Sequence, residues 1–168
     1  MGKIIKMSPE LANMIAAGEV VERPFSVVKE LVENSIDANS KNIKIYLTSG
    51  GIEGITITDD GDGMDKDDVL MAFIPHATSK IKSEYDLFRI TTLGFRGEAI
   101  ASIASVSKME IISSLDGIKG YRVLYKSGVK KEEGIHQSNK GTTISVTELF
   151  INTPAQCPSP DFLDQRDP

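Results

Sequence analysis

Three short segments carry residue types that could do chemistry together. The first is Asp59-Asp60-Gly61-Asp62-Gly63-Met64, an acidic, glycine-rich loop. A calcium loop of the EF-hand kind needs oxygen ligands at its first, third and fifth positions and glycine at the sixth. Counted from Asp60, Met64 and Asp65 fall at the fifth and sixth positions, so that pattern fails. A dinucleotide fingerprint fails as well, because Lys66 stands where the third glycine belongs. What the loop still offers is a carboxylate acceptor beside backbone that Gly61 and Gly63 leave bare. A plain acidic turn is the alternative.

The second segment is Gly94-Phe95-Arg96-Gly97-Glu98-Ala99-Ile100. Glycines opening a helix present backbone N–H groups and a positive helix end, which suits phosphate. A P-loop is excluded, because no Gly-Lys-Ser/Thr follows at the required spacing. A tight helix entry with packing glycines is the competing reading. The third segment supplies Glu30, Asn34 and Asp37, which gather within roughly 60° on a wheel of ~100° per residue. A glutamate there could take a proton from water, and an asparagine oxygen is a hard ligand for Mg²⁺. A solvated helix face is the alternative. His76 could suggest catalysis, but a structural place in a lid is the preferred reading.

These segments need elements to hold them. Ser8-Pro9 predicts a helix start, with Leu11, Met14 and Ile15 at helical spacing and Gly18 as a stop. A second helix is predicted from about Pro24 to Ala38, its apolar back made by Val28, Leu31, Val32, Ser35 and Ile36. Ile43, Ile45 and Leu47 alternate as a strand, Ser49-Gly50-Gly51 makes a turn, and Ile55 and Ile57 resume the alternation up to Asp59. A short helix follows from about Lys66 to Phe73. Pro75 to Phe95 is too long for an ordinary connection and reads as a lid. Gly97 to Ser105 reads as a small-residue helix, followed by strands around Met109–Ser113, Tyr121–Tyr125 and Thr143–Thr147, with a turn at Asp116-Gly117. The expected fold is α+β: a two-layer sandwich, with helices on one face of a mixed, mostly antiparallel sheet.

Composition narrows the function. The chain of 168 residues is 40% apolar and 26% charged, as a globular domain should be. It has no apolar run near the ~20 residues a membrane span needs, so no membrane partner is expected. Its N-terminus lacks the pattern of a secretory signal. With one cysteine, Cys157, no internal disulfide can form, and a reduced, cytoplasmic setting is expected. The net charge of −5 argues against a dedicated DNA-binding module. Lys119, Arg122, Lys126, Lys130 and Lys131 read as a solvated face rather than a nucleic-acid patch.

Taken together, Glu30 to Ala38, Asp59 to Met64, Gly94 to Ala99 and Gly141-Thr142-Thr143 stand in the order of the four motifs of the GHKL ATPases. Within that superfamily the sequence most resembles the MutL family of DNA mismatch-repair proteins. Ile15 to Pro24, His76 to Lys80 and Leu93 to Ala99 carry that resemblance, which extends from about Ile4 to Ala155. It implies that Glu30 is the general base for ATP hydrolysis, that Asn34 binds Mg²⁺, and that Asp59 accepts from the adenine amino group. It implies that Gly61 and Gly63 pass close under the base, with Asp37 and Met64 also in the nucleotide site. Thr78, Ser79 and Lys80 match the lid, with Gly94, Phe95, Arg96, Gly97, Glu98, Ala99 and Ile100 as the phosphate loop. Thr143 is the hydroxyl expected near the adenine-binding carboxylate.

The function so implied is an ATP-binding and hydrolysing switch that dimerises on ATP. Its expected cofactors are ATP and Mg²⁺; its partners are a second copy, a MutS-type mismatch sensor and, through a longer protein, duplex DNA. A binding-only adenine-nucleotide module and a topoisomerase ATPase domain are the alternatives. The resemblance ends after Ala155, so residues 1–155 are expected to form the domain and 156–168 a disordered or foreign tail. The family places a lysine from a second domain on the γ-phosphate, so slow hydrolysis is expected of these residues alone.

Overall fold

The computed structural model describes residues 21–75 and 98–153, together with Ile15 and Gly18. Helix α1 (Pro24–Asp37) starts on proline, whose fixed φ and missing N–H suit a first turn. It ends because Asn39 adopts φ 60°, donating from its N–H to Ile36 O, while Ser40 N reaches back to Ser35 O. The helix was expected to run to about Ala38, which is its C-cap, one residue past the last helical residue. Its buried line is Val27, Leu31 and Ser35, flanked by half-buried Val28 and Val32. Ile36, expected on the apolar back, is 49% exposed, because the buried stripe is centred one residue toward Val27. Ile15 and Gly18 are helical, so Gly18 does not end the helix before it.

Strands β1 (Ile43–Thr48) and β2 (Gly54–Asp59) form a hairpin around a 3₁₀ turn at Ser49–Gly51. Helix α2 (Lys66–Met71) is shorter than expected and is capped by Asp65, whose Oδ1 accepts from Asp68 N at 2.9 Å. Asp67 and Asp68 sit in its first turn, where the helix dipole favours negative charge. Helix α3 (Ala99–Ser105) leads into β3 (Lys108–Ser114), β4 (Gly120–Lys126), β5 (Val129–His136) and β6 (Gly141–Thr147). The order across the sheet is β1-β2-β6-β3-β4-β5, and all five pairings are antiparallel. A mixed sheet was expected; among the described residues no parallel pair occurs.

β5 was not foreseen. Its residues are charged and exposed along most of their length, so burial imposed no alternation on the sequence. Such charged edges also discourage pairing with other chains. Three of the five basic residues expected as a solvated face are matched by acids here. Arg122 meets Glu110 at 2.7 Å and Glu132 at 2.8 Å, Lys126 meets Glu148, and Lys130 meets Glu133.

One sheet face carries the core. Ile57, Ile144, Ile111 and Val123 lie in register across four strands, and Ile55, Val146, Met109 and Tyr125 form the next row. The helices add Val27, Leu31, Val69 and Ile103 to this face, and Phe73 stacks on Tyr125 with centroids 3.9 Å apart. The other face is polar: Thr56 pairs with Ser145 and Thr58 with Thr143. Among the described residues no helix is long and apolar enough to cross a membrane.

Ile111 is fully buried at the centre of this core, whereas Ile135 on β5 is 72% exposed. Ile111→Ala should therefore destabilise the chain by about 2–5 kcal/mol. Ile135→Ala should change stability by no more than about 0.5 kcal/mol. Urea denaturation followed by circular dichroism compares the two.

Candidate functional site

The third row of the core face is different. Asp59, Thr142 and Ser113 pair across β2, β6 and β3, so polar side chains replace the aliphatic ones at one end of the sheet. Asp59 is only 8% exposed, and a carboxylate so placed needs donors. Its Oδ1 accepts from Gly61 N at 3.0 Å and Thr142 N at 3.3 Å; its Oδ2 accepts from Ser35 Oγ at 2.9 Å. An ionised carboxylate has about four acceptor positions. These three bonds leave one on Oδ2, suited to an amino donor.

Around it the chain packs backbone against backbone. A Cβ on Gly61 would lie 2.6 Å from Ala38 O and from Ser40 Oγ. Gly63, at φ 76°, faces Ser114 O, and Gly141, at φ 111°, faces the carbonyl of Asp59 itself. Gly61 and Gly63, expected to pass close under a ligand, thus have an internal requirement of their own: each lies against another part of this chain. Asp62 N donates to Ala38 O at 2.8 Å, which ties the loop to the end of α1.

The remaining acidic residues of the loop have structural tasks. Asp60 accepts from Lys41 N, Asn42 N and Asn42 Nδ2, each at 2.8 Å. Those donors, Asn42 foremost, hold its carboxyl at about 2. Asp62 takes Asn39 Nδ2 at 2.7 Å. Among the described residues no group of three or more His, Cys, Asp or Glu could hold a metal by itself.

A sequence profile described as histidine kinase-, DNA gyrase B-, and HSP90-like ATPase matches residues 22–152. The chain belongs to that ATPase family. It is 56% identical to DNA mismatch repair protein MutL of Halalkalibacterium halodurans over 93% of its length, and 58% identical to MutL of Bacillus anthracis over 93%. It spans about a quarter of those relatives, 24% and 25% respectively. Among solved structures it resembles the N-terminal domain of a DNA repair protein (TM-score 0.71, 34% identity, 86% of this chain and 41% of that one). It also resembles the Aquifex aeolicus MutL ATPase domain complexed with ADP (TM-score 0.59, 27% identity, 82% of this chain and 47% of that one). The expected ATPase fold is therefore the fold of this chain.

Within this ATPase fold, Glu30, Asn34 and Asp37 are half-buried on α1, on the Val27 side of the buried Val27–Leu31–Ser35 stripe and across it from Val28 and Val32. Asn34 is the member nearest Ser35, one ~100° step along the wheel. Met64 follows the loop and joins the edge of the core, its N–H donating to Ser113 Oγ at 2.8 Å. Glu98 precedes α3, and Ala99 and Ile100 form its first turn. Thr78, Ser79, Lys80, Gly94, Phe95, Arg96 and Gly97 lie outside the described residues, as do His76 and the tail from 156 to 168.

Thr143 requires a correction. Successive strand residues point to opposite faces, and register puts Thr143 beside Thr58 on the polar face, with the two hydroxyls 3.1 Å apart. Thr142 is the residue next to Asp59. Sequence reading also missed Ser35 and Ser113. A lone serine in the apolar stripe of α1 was the available signal for the first, since a buried hydroxyl demands a partner.

Asp60 generates a test by pH. Its folded value of about 2 lies below the usual 3.8, so its contribution to stability is complete above about pH 4 and is lost as pH falls toward 2. Asp60→Asn should remove part of the acid sensitivity between pH 4 and 2 and lower stability at pH 7. Urea unfolding at a series of pH values measures both; an unchanged acid limb would remove Asp60 from that role.

Proposed function

We propose that the chain is the nucleotide-binding domain of a MutL-type mismatch-repair ATPase, with adenine read by Asp59. The observation that carries this reading is the buried carboxylate with one acceptor position left on Oδ2. An adenine amino group is a donor of matching chemistry. Asp37 and Met64, at the margins of the same end of the sheet, belong to the nucleotide site on this reading.

Mg²⁺ suits the donors as an ion arriving with phosphates. Mg²⁺ keeps water and substrate oxygens and needs few protein ligands, and the Asn34 amide oxygen supplies a hard one. When bound, the ion neutralises charge on the phosphates. Glu30, one turn earlier on the same face of α1, accepts the proton of the attacking water. Glu98, Ala99 and Ile100 open α3 toward the phosphates, and Thr78, Ser79, Lys80 and Gly94 to Gly97 serve as lid and phosphate loop. In the longer protein, ATP then drives pairing of two copies. A MutS-type sensor and duplex DNA are the partners of that assembly. The cytoplasm is its setting.

Asp59→Asn separates this reading from others while sparing the fold. The amide oxygen can keep Gly61 N and Thr142 N, and the new NH₂ can donate to Ser35 Oγ, which turns its own hydrogen to Leu31 O, 3.1 Å away. The amide then presents a donor where the ligand also presents one. Loss of a charge-assisted bond, about 1.5–3 kcal/mol, corresponds to roughly 10- to 150-fold weaker ADP binding. Calorimetry with ADP measures it, and unchanged affinity in a folded variant would defeat the adenine assignment.

Glu30→Ala should leave ADP affinity in place and slow ATP hydrolysis by about 10²- to 10⁴-fold, assayed by phosphate release from the longer protein. Parental turnover in that variant would mean that another group takes the proton.

A further inference from the structure

Ser113 is fully buried, and the adenine reading gives it no task. Its Oγ has three polar neighbours: Met64 N at 2.8 Å, Thr142 Oγ1 at 2.8 Å and Gly141 O at 3.0 Å. A serine hydroxyl has one hydrogen and two lone pairs. The Met64 N–H can only donate, and the Gly141 carbonyl can only accept. With the Ser113 hydrogen on Gly141 O, the assignment that lets all three contacts be hydrogen bonds at once, the Thr142 hydroxyl donates to Ser113. All three positions on Ser113 are then filled. Thr142, having given up its hydrogen, presents only lone pairs beside Asp59, which is itself an acceptor.

We propose that Ser113 is a positioning residue that fixes this end of the site as acceptor-only, and so sets its preference for a 6-amino purine over a 6-oxo purine. It does so through Thr142, without touching the ligand. The same hydroxyl clamps the Met64 end of the loop to Gly141 at the start of β6, which holds Thr142 N on Asp59 Oδ1. The inference rests on the adenine reading of Asp59.

Without Ser113 Oγ, the Thr142 hydroxyl loses its acceptor and becomes free to donate. A 6-oxo group would then find a donor where it had met only lone pairs. ADP and inosine diphosphate, which carries oxo in place of the 6-amino group, are the probes, titrated calorimetrically into the intact chain. The native chain should prefer ADP by at least about tenfold. Ser113→Ala should cut that preference by about fivefold, the scale of one hydrogen bond, and Ser113→Thr, which keeps the hydroxyl, should restore it. General loosening would weaken both ligands alike; an unchanged ratio in folded Ser113→Ala would overturn the proposal. Should Ser113→Ala not fold, Ser113→Cys carries the same expectation in reduced measure, since its thiol is a weak donor and acceptor of similar size. If Asp59→Asn leaves ADP binding intact, the adenine reading fails. If Asp59→Asn weakens binding but the Ser113 ratio holds, only the present inference fails.

Discussion

A carboxylate removed from water must be surrounded by donors, and at Asp59 that requirement organises the end of the sheet. The desolvation of an unpaired carboxylate would cost several kcal/mol. Here three donors from three segments meet it: the loop after β2, the start of β6, and the back of α1. None of these segments is near another in sequence. The sheet brings the first two together by register, and the core of Val27, Leu31, Ile55 and Ile57 presses the third onto them. The hydrophobic face thus does more than stabilise. It sets the distance between Ser35 on the helix and Asp59 on the strand.

Close packing then makes the arrangement stiff. Gly61, Gly63 and Gly141 each lie so near other backbone that a Cβ would collide. Gly63 and Gly141 also need positive φ, which most side chains disfavour. Hydrogen bonds donated by the Asn39–Asn42 segment to the Asp60 and Asp62 carboxylates close the loop from outside. An acidic run that could pass for a cation site is instead divided into a site carboxylate, two loop braces and a helix cap at Asp65.

Much of this was legible before any coordinates. Helix α1 shows its amphipathic period, because burial on one side and solvent on the other impose it. Asp59 stands out because it closes an alternating strand and opens a glycine loop. Thr143 was misassigned for a definite physical reason. Two adjacent threonines in a strand are equivalent in composition, and only register decides which faces the core. β5 was invisible because an exposed edge strand is held by backbone hydrogen bonds and leaves little pattern in its side chains. Ser113 was read simply as part of a strand; its importance comes from neighbours 28, 29 and 49 positions away.

The two ends of the site differ in how much remains for a ligand to change. At the Asp59 end the donors are already in place, so on the adenine reading a base completes an arrangement and need not build one. Such preorganisation favours binding by reducing what must be ordered, but it leaves little to switch. The C-terminal end of α3 is similarly tied down: Gly128 N meets Ala104 O, Asn152 Nδ2 meets Ser105 O, and Phe150 N meets Val106 O. The N-terminal end of the same helix begins at Glu98–Ala99, where the phosphate loop would enter. A ligand shifts an equilibrium only by the difference in its affinity for two states. On the nucleotide-switch reading, that difference has to arise at the phosphates, where α3 begins and where the front of α1 carries Glu30 and Asn34. On the same reading, the adenine end serves as the fixed point against which that response is set.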